Sequence, residues 1–179
     1  MLSRDKGGAG YSAARHVAAD AALLGAALIL SYLESLIPMP RAVPGLKLGL
    51  ANIAVILCGY LVSLPDACAI SVMRILISSL LFGSVTSLWF SLTGGIMALI
   101  VLAALLLTPA RNKVSPTGVS VACAAAHNTG QILAASIVFG SPGIFRYLPI
   151  LLLFSVVFGL ITGASADRVI YAASRFGKK

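Results

Sequence analysis

Charge is what this sequence has least of. Only 10% of its 179 residues are charged, with five acidic residues against thirteen Lys and Arg, where an ordinary soluble domain carries about 25%. With 59% hydrophobic residues and a mean hydropathy of +1.02, the balance excludes a soluble globular domain and indicates an integral membrane protein. Aromatic residues are also scarce, at 7% with one Trp, and do not interleave with the cations. The formal charge of +8 is therefore no nucleic-acid stripe. Its cations collect in connectors and termini, where they read as topology signals and headgroup contacts.

Other absences narrow the chemistry. Three cysteines, Cys58, Cys68 and Cys123, lie inside apolar stretches with no CxxC or Cys/His spacing, so neither a disulfide framework nor a metal site is expected. The four aspartates, Asp5, Asp20, Asp66 and Asp167, are scattered along the chain. Nothing resembles the aspartate-rich clusters that hold magnesium and diphosphate in prenyl transferases. No glycine-rich phosphate loop followed by Lys and Ser or Thr occurs, so ATP hydrolysis by the P-loop route is excluded. No cofactor is expected in this chain, and catalysis is not its expected role. There is no internal repeat of the kind found in many secondary transporters.

What the sequence has is long apolar runs. At about 20 residues per span, 179 residues accommodate roughly six helices, read as one transmembrane domain over 1–179. The expected fold is all-α, an integral membrane bundle of six transmembrane helices at about 14–37, 48–63, 66–82, 86–108, 118–140 and 147–170. Seven prolines, Pro38, Pro40, Pro44, Pro65, Pro109, Pro116 and Pro142, fall between these runs, where a broken backbone is tolerated. Pro149 falls in the first turn of the sixth, where proline is accepted. The run from Val17 to Ile37 exceeds a signal-peptide core of about 7 to 15 residues, so it reads as a retained first helix.

Cation counting sets an expected orientation. With the N-terminus inside, Arg4, Lys6, Arg15, Arg111, Lys113, Arg168, Arg175, Lys178 and Lys179 lie on the inner side. Arg41, Lys47 and Arg146 lie outside. Nine against three favours both termini in the cytoplasm. The segment "IPMPRAVPGLKLGLAN", residues 37–52, is then an outer connector stiffened by three prolines, built like a lid.

Polar residues inside the spans are the functional candidates, because a central Arg costs about 2.5 to 3.5 kcal/mol to insert. Arg74 sits at the middle of the third span, as a tether to a neighbouring helix or as a ligand contact. The fifth span holds "AAAHNTGQ", where spacings of three and four residues place His127, Asn128 and Gln131 in one polar patch. Interhelical bonding at about 0.6 kcal/mol per group is the alternative to a binding site there. Asn52 follows the lid segment, and Glu34 ends the first helix, solvated or paired with Arg41 or Lys47. Gly94 and Gly95 permit close approach of a helix or a ligand. Ala18, Ala22 and Ala26 make a small-residue stripe on the first helix.

The runs "PGLKLGLANIAVILCGYL", "MRILISSLLFGS", "SLTGG" and "AAAHNTGQ" resemble the bacterial Gx transporter family, often labelled heptaprenyl diphosphate synthase component I. That family is similar in turn to the substrate-binding S components of energy-coupling factor (ECF) transporters, where a proline-bearing first loop precedes a G-x-K-L-x-L start to helix two. The resemblance covers about residues 20–170. It implies a six-helix subunit of the bacterial cell membrane with both termini inside. Such a subunit binds a vitamin-like or prenyl- or quinone-related small molecule beneath the first loop. It docks on a membrane coupling protein driven by ATPase subunits, which use the ATP. Lys47, Asn52, Arg74, His127, Asn128 and Gln131 are the expected substrate contacts, and Ala18, Ala22 and Ala26 match the docking motif. A non-catalytic membrane component of a heptaprenyl diphosphate synthase is the alternative, and a ligand-free scaffold a third reading.

Overall fold

The computed structural model describes residues 13–36 and 49–176, and every regular element among them is helical. Six α-helices follow one another: α1 (Ala13–Ser35), α2 (Asn52–Leu61), α3 (Leu64–Phe82), α4 (Val85–Leu107), α5 (Pro116–Phe139) and α6 (Leu148–Phe176). Short 3-10 turns at Pro109–Asn112 and Pro142–Tyr147 flank α5. Local chemistry sets the starts. Ser63, Ser84 and Ser115 each precede a helix and accept, through the side-chain oxygen, the backbone N–H of Asp66, Ser87 and Gly118, which satisfies a donor the helix cannot. Pro65 and Pro116 occupy first-turn positions, where a missing N–H costs nothing. Gly140, at φ 59°, closes α5 in the left-handed conformation that glycine adopts most readily.

Five of these helices are long and apolar enough to cross a membrane. The protein is therefore a multi-pass membrane protein, but the expected second span, 48–63, is not a full one. At ten residues and 1.5 Å per residue, α2 is about 15 Å long, half the hydrocarbon thickness. Its start is delayed because Gly49 adopts φ 72°, outside helical space. The chain then turns, with the Gly49 carbonyl accepting from Asn52 N–H at 3.0 Å. Lys47 and the lid-like segment 38–47 lie outside the described residues.

Helix directions alternate. The imidazole of His16 lies 3.4 Å from Asp66, and the rings of Tyr32 and Phe82 are 5.1 Å apart, so α1 and α3 run side by side in parallel. The start of α1 therefore shares one face of the bundle, the near face, with the start of α3. The far face carries the ends of α1 and α3 and the Pro142–Tyr147 turn.

Packing is uneven. Between α5 and α6, a Cβ on Gly159 would stand 2.7 Å from Val121 Cα, and one on Gly163 2.6 Å from Thr117 Cα. Backbones this close gain van der Waals contact that bulkier residues would forbid, the usual source of helix association in lipid. The hydroxyls of Ser120 and Thr162 meet across the same seam at 2.9 Å. In contrast, α1 lies on the outside of the bundle. Ala27 is its one buried residue among those described, while Val17, Ile29, Leu33 and Leu36 are exposed. Exposed Leu80, Val85, Leu107 and Ile137 would be an aggregation hazard in water; facing acyl chains they are at home.

Candidate functional site

Four helices converge at mid-depth. Arg74 is buried at the middle of α3. Ser71 and Ile75, on the same turn, face Gly95 of α4: a Cβ there would stand 2.5 Å from Ile75 Cδ1 and 3.8 Å from Ser71 Oγ. The adjoining Gly94 faces α5, where a Cβ would meet the His127 carbonyl at 2.7 Å and Gln131 Cγ at 3.0 Å. The diglycine is thus a wall shared by α3 on one side and α5 on the other. The fourth element, α2, brings Asn52, whose Oδ1 accepts from the Arg74 guanidinium at 3.4 Å. Between these helices a narrow cavity runs past Asn52, Ser71, Leu99, Leu102 and Cys123, with room for about one water molecule.

The polar groups here are poorly satisfied. A 3.4 Å contact is long for an N–H···O hydrogen bond, and it is the one Arg74 makes among the described residues. Among the described residues Nε of Arg74 has no partner, and neither amide atom of Gln131 has one although Gln131 is 1% exposed. Orphaned buried polar groups cost about 1 to 3 kcal/mol each, on top of the insertion cost of the Arg. A single weak bond to a neutral amide does not offset that sum. The acidic Glu34 acts electrostatically on Arg74 but forms no ion pair with it; its Oε1 instead accepts the N–H of Gly49 at 2.9 Å. That bond fastens the end of α1 to the turn that opens α2. The expected pairing of Glu34 with Arg41 or Lys47 falls on residues outside those described.

The α5 patch divides. His127 is buried and, with Gln131, lies against α4. Asn128 turns to α6, where its Nδ2 donates to the Leu151 carbonyl at 3.2 Å and to Ser155 Oγ at 2.7 Å. The expectation that the three side chains form one patch is therefore corrected. A helix places residues 127 and 128 about 100° apart, and neighbours on different sides separate them. Gly94 and Gly95 serve close helix packing, one of the two roles their spacing allowed.

A profile of the family described as heptaprenyl diphosphate synthase component I matches residues 23–169. The chain belongs to that family. Comparison with curated proteins finds no match, and comparison with solved structures finds none either. The family description refers to one component of a synthase, and so to a member of a multi-component assembly.

In this component I family member the structure also assembles a group that the linear sequence hid. His16 stands with Nδ1 3.4 Å from Asp20 Oδ2 and Nε2 3.4 Å from Asp66 Oδ2, and the Ser63 hydroxyl donates to the same Asp66 oxygen. Asp20 and Asp66, scattered in sequence, are brought together at the near face. Two local signals pointed to it: His16 and Asp20 are four residues apart on one helix, and "SLPD" at Ser63–Asp66 is a capping pattern that puts the carboxylate in the first turn of α3. The imidazole lies between two carboxylates and so stitches α1 to α3. Ala18, Ala22 and Ala26 are exposed on the same helix.

Proposed function

We propose that this chain is the substrate-binding membrane subunit of an energy-coupling factor type importer, taking up a vitamin-like or prenyl- or quinone-related small molecule. The observation that carries the reading is the set of buried, under-satisfied polar groups, Arg74 and Gln131, on either side of the Gly94–Gly95 wall, with a narrow cavity between the same helices lined by Asn52, Ser71 and Cys123. Convergent polar groups in an apolar enclosure are the usual form of a small-molecule site. The narrowness of the cavity means that a ligand enters by parting the helices, most easily from the far face, where α2 is only half the length of a full span. Asn52, Arg74, His127 and Gln131 contribute from described positions, and Lys47 from the connector. Asn128 supports the site from the α6 side.

In this reading the chain binds but does not supply energy; a coupling protein docks against Ala18, Ala22 and Ala26, and partner ATPase subunits use ATP. The far face is the outer one, and both termini are cytoplasmic. Mass spectrometry of the protein extracted in detergent tests the reading: a stoichiometric small molecule, released on denaturation and lost from a Gln131→Leu variant, is expected. The family description favours a second role, a non-catalytic membrane component of a heptaprenyl diphosphate synthase. That role predicts instead that prenyl diphosphate elongation by co-expressed soluble subunits rises when the chain is present.

A further inference from the structure

We infer that Arg74 is an anion receptor, so that the small molecule bound at this site carries a carboxylate or similarly acidic group. The inference rests on the binding-site reading above and narrows it to one chemical class. A guanidinium buried at the middle of a transmembrane helix is ordinarily matched by a carboxylate or by a full set of carbonyl acceptors. Arg74 is matched by neither among the described residues: it has one long bond to Asn52, an unpartnered Nε, and no ion pair. Glu34, the carboxylate within electrostatic reach, is occupied by the Gly49 N–H. Arg74 therefore keeps an unfilled N–H donor where water is excluded, and an incoming anion gains a charge-assisted, bidentate hydrogen bond there. Both amide atoms of Gln131, without a partner among the described residues, are left to orient a second polar group of the same ligand.

Glu34 gives the idea a signature that a structural tether lacks. Beside a ligand anion its carboxylate is repulsive, so removing its charge strengthens binding; if Glu34 is simply the counter-charge of Arg74, removing it weakens the protein and improves nothing. The experiment uses the full chain in detergent at neutral pH with matched probes: benzoate and benzamide, indole-3-acetate and indole-3-acetamide, octanoate and octanamide. The thermal midpoint and the dissociation constant are read for wild type, Arg74→Lys, Arg74→Gln and Glu34→Gln. At least one acid is expected to raise the midpoint by several degrees while its amide does not. Arg74→Lys retains part of the response, Arg74→Gln abolishes it, and Glu34→Gln tightens acid binding several-fold. Equal stabilisation by acid and amide, or an unchanged acid response in Arg74→Gln, overturns the anion assignment and leaves the pocket in place. So does a neutral copurifying molecule with no response to any acid. No response to any probe and no copurifying molecule overturns both. Should Arg74→Gln fail to fold, the sign of the Glu34→Gln effect decides alone.

Discussion

Asn128 and Gln131 lie three residues apart on α5 and meet opposite fates. The Asn128 amide donates twice to α6, while the Gln131 amide is sealed from water with no partner among the described residues. Their substitutions should separate accordingly. Asn128→Ala forfeits two donor contacts and opens space at the α5–α6 seam, and is expected to cost about 1 to 3 kcal/mol, seen as a lower denaturation midpoint in detergent. Gln131→Leu exchanges an unsatisfied amide for an apolar side chain of similar size, a change that is nearly neutral or stabilising. It should hold or raise the midpoint while weakening ligand binding. A large loss of stability in Gln131→Leu would mean that its amide bonds within the folded chain. The residue types were legible in "AAAHNTGQ"; the directions were not, because helical spacing gives the angle between two side chains and not which neighbour stands in each direction.

At the scale of elements, the apolar pattern marked out the helical segments of the described residues, five of them long enough to cross a membrane, and the prolines fell near the expected ends. The second helix was misjudged in length. Residues 48–63 are apolar but for Asn52, Tyr60 and the closing Ser63, and hydropathy alone does not distinguish a full crossing from a half-length helix preceded by a turn. The distinguishing feature is Gly49 at φ 72°, a conformation that costs a residue with a Cβ about 1 to 2 kcal/mol. Tertiary contact selects that turn, since Glu34 from α1 accepts its N–H. The diglycine was legible as a point of close approach, and its two partners were not. Gly94→Val should be far more damaging than a valine on the lipid side of α4, because the α5 backbone, 2.7 Å from the first added carbon, has no room to yield; the yield of folded monomer on gel filtration reports it. Orientation is open to direct labelling. With the native cysteines replaced, a single Cys at Gly143, in the far-face turn, should react with an impermeant maleimide in intact cells, and one at Lys113, at the near face, should react after lysis alone. The reverse pattern would place the site on the cytoplasmic side and remove it from any solute arriving outside.

At the scale of the molecule, the contrast between a tightly seamed α4–α5–α6 and an outlying α1 bears on partnership. The seamed helices have spent their small residues on one another, whereas Ala18, Ala22 and Ala26 on α1 are exposed. In lipid a smooth alanine stripe gains nothing over leucine unless another helix lies against it, since close backbone approach is what small residues permit. The near-face stitch of His16 to Asp20 and Asp66 holds α1 in place next to the stripe, so that a partner would meet a positioned helix. Because the three alanines face outward, bulk added there should leave the bundle intact. Ala22→Trp is expected to fold, to keep wild-type ligand affinity as an isolated chain, and to lose both copurification with ATPase partners and ATP-dependent uptake. Reduced ligand affinity in the isolated variant would instead mean that the stripe packs within the chain. A variant that still copurifies with its partners and transports at the normal rate would remove the docking role, and the synthase-component reading would then be the stronger one.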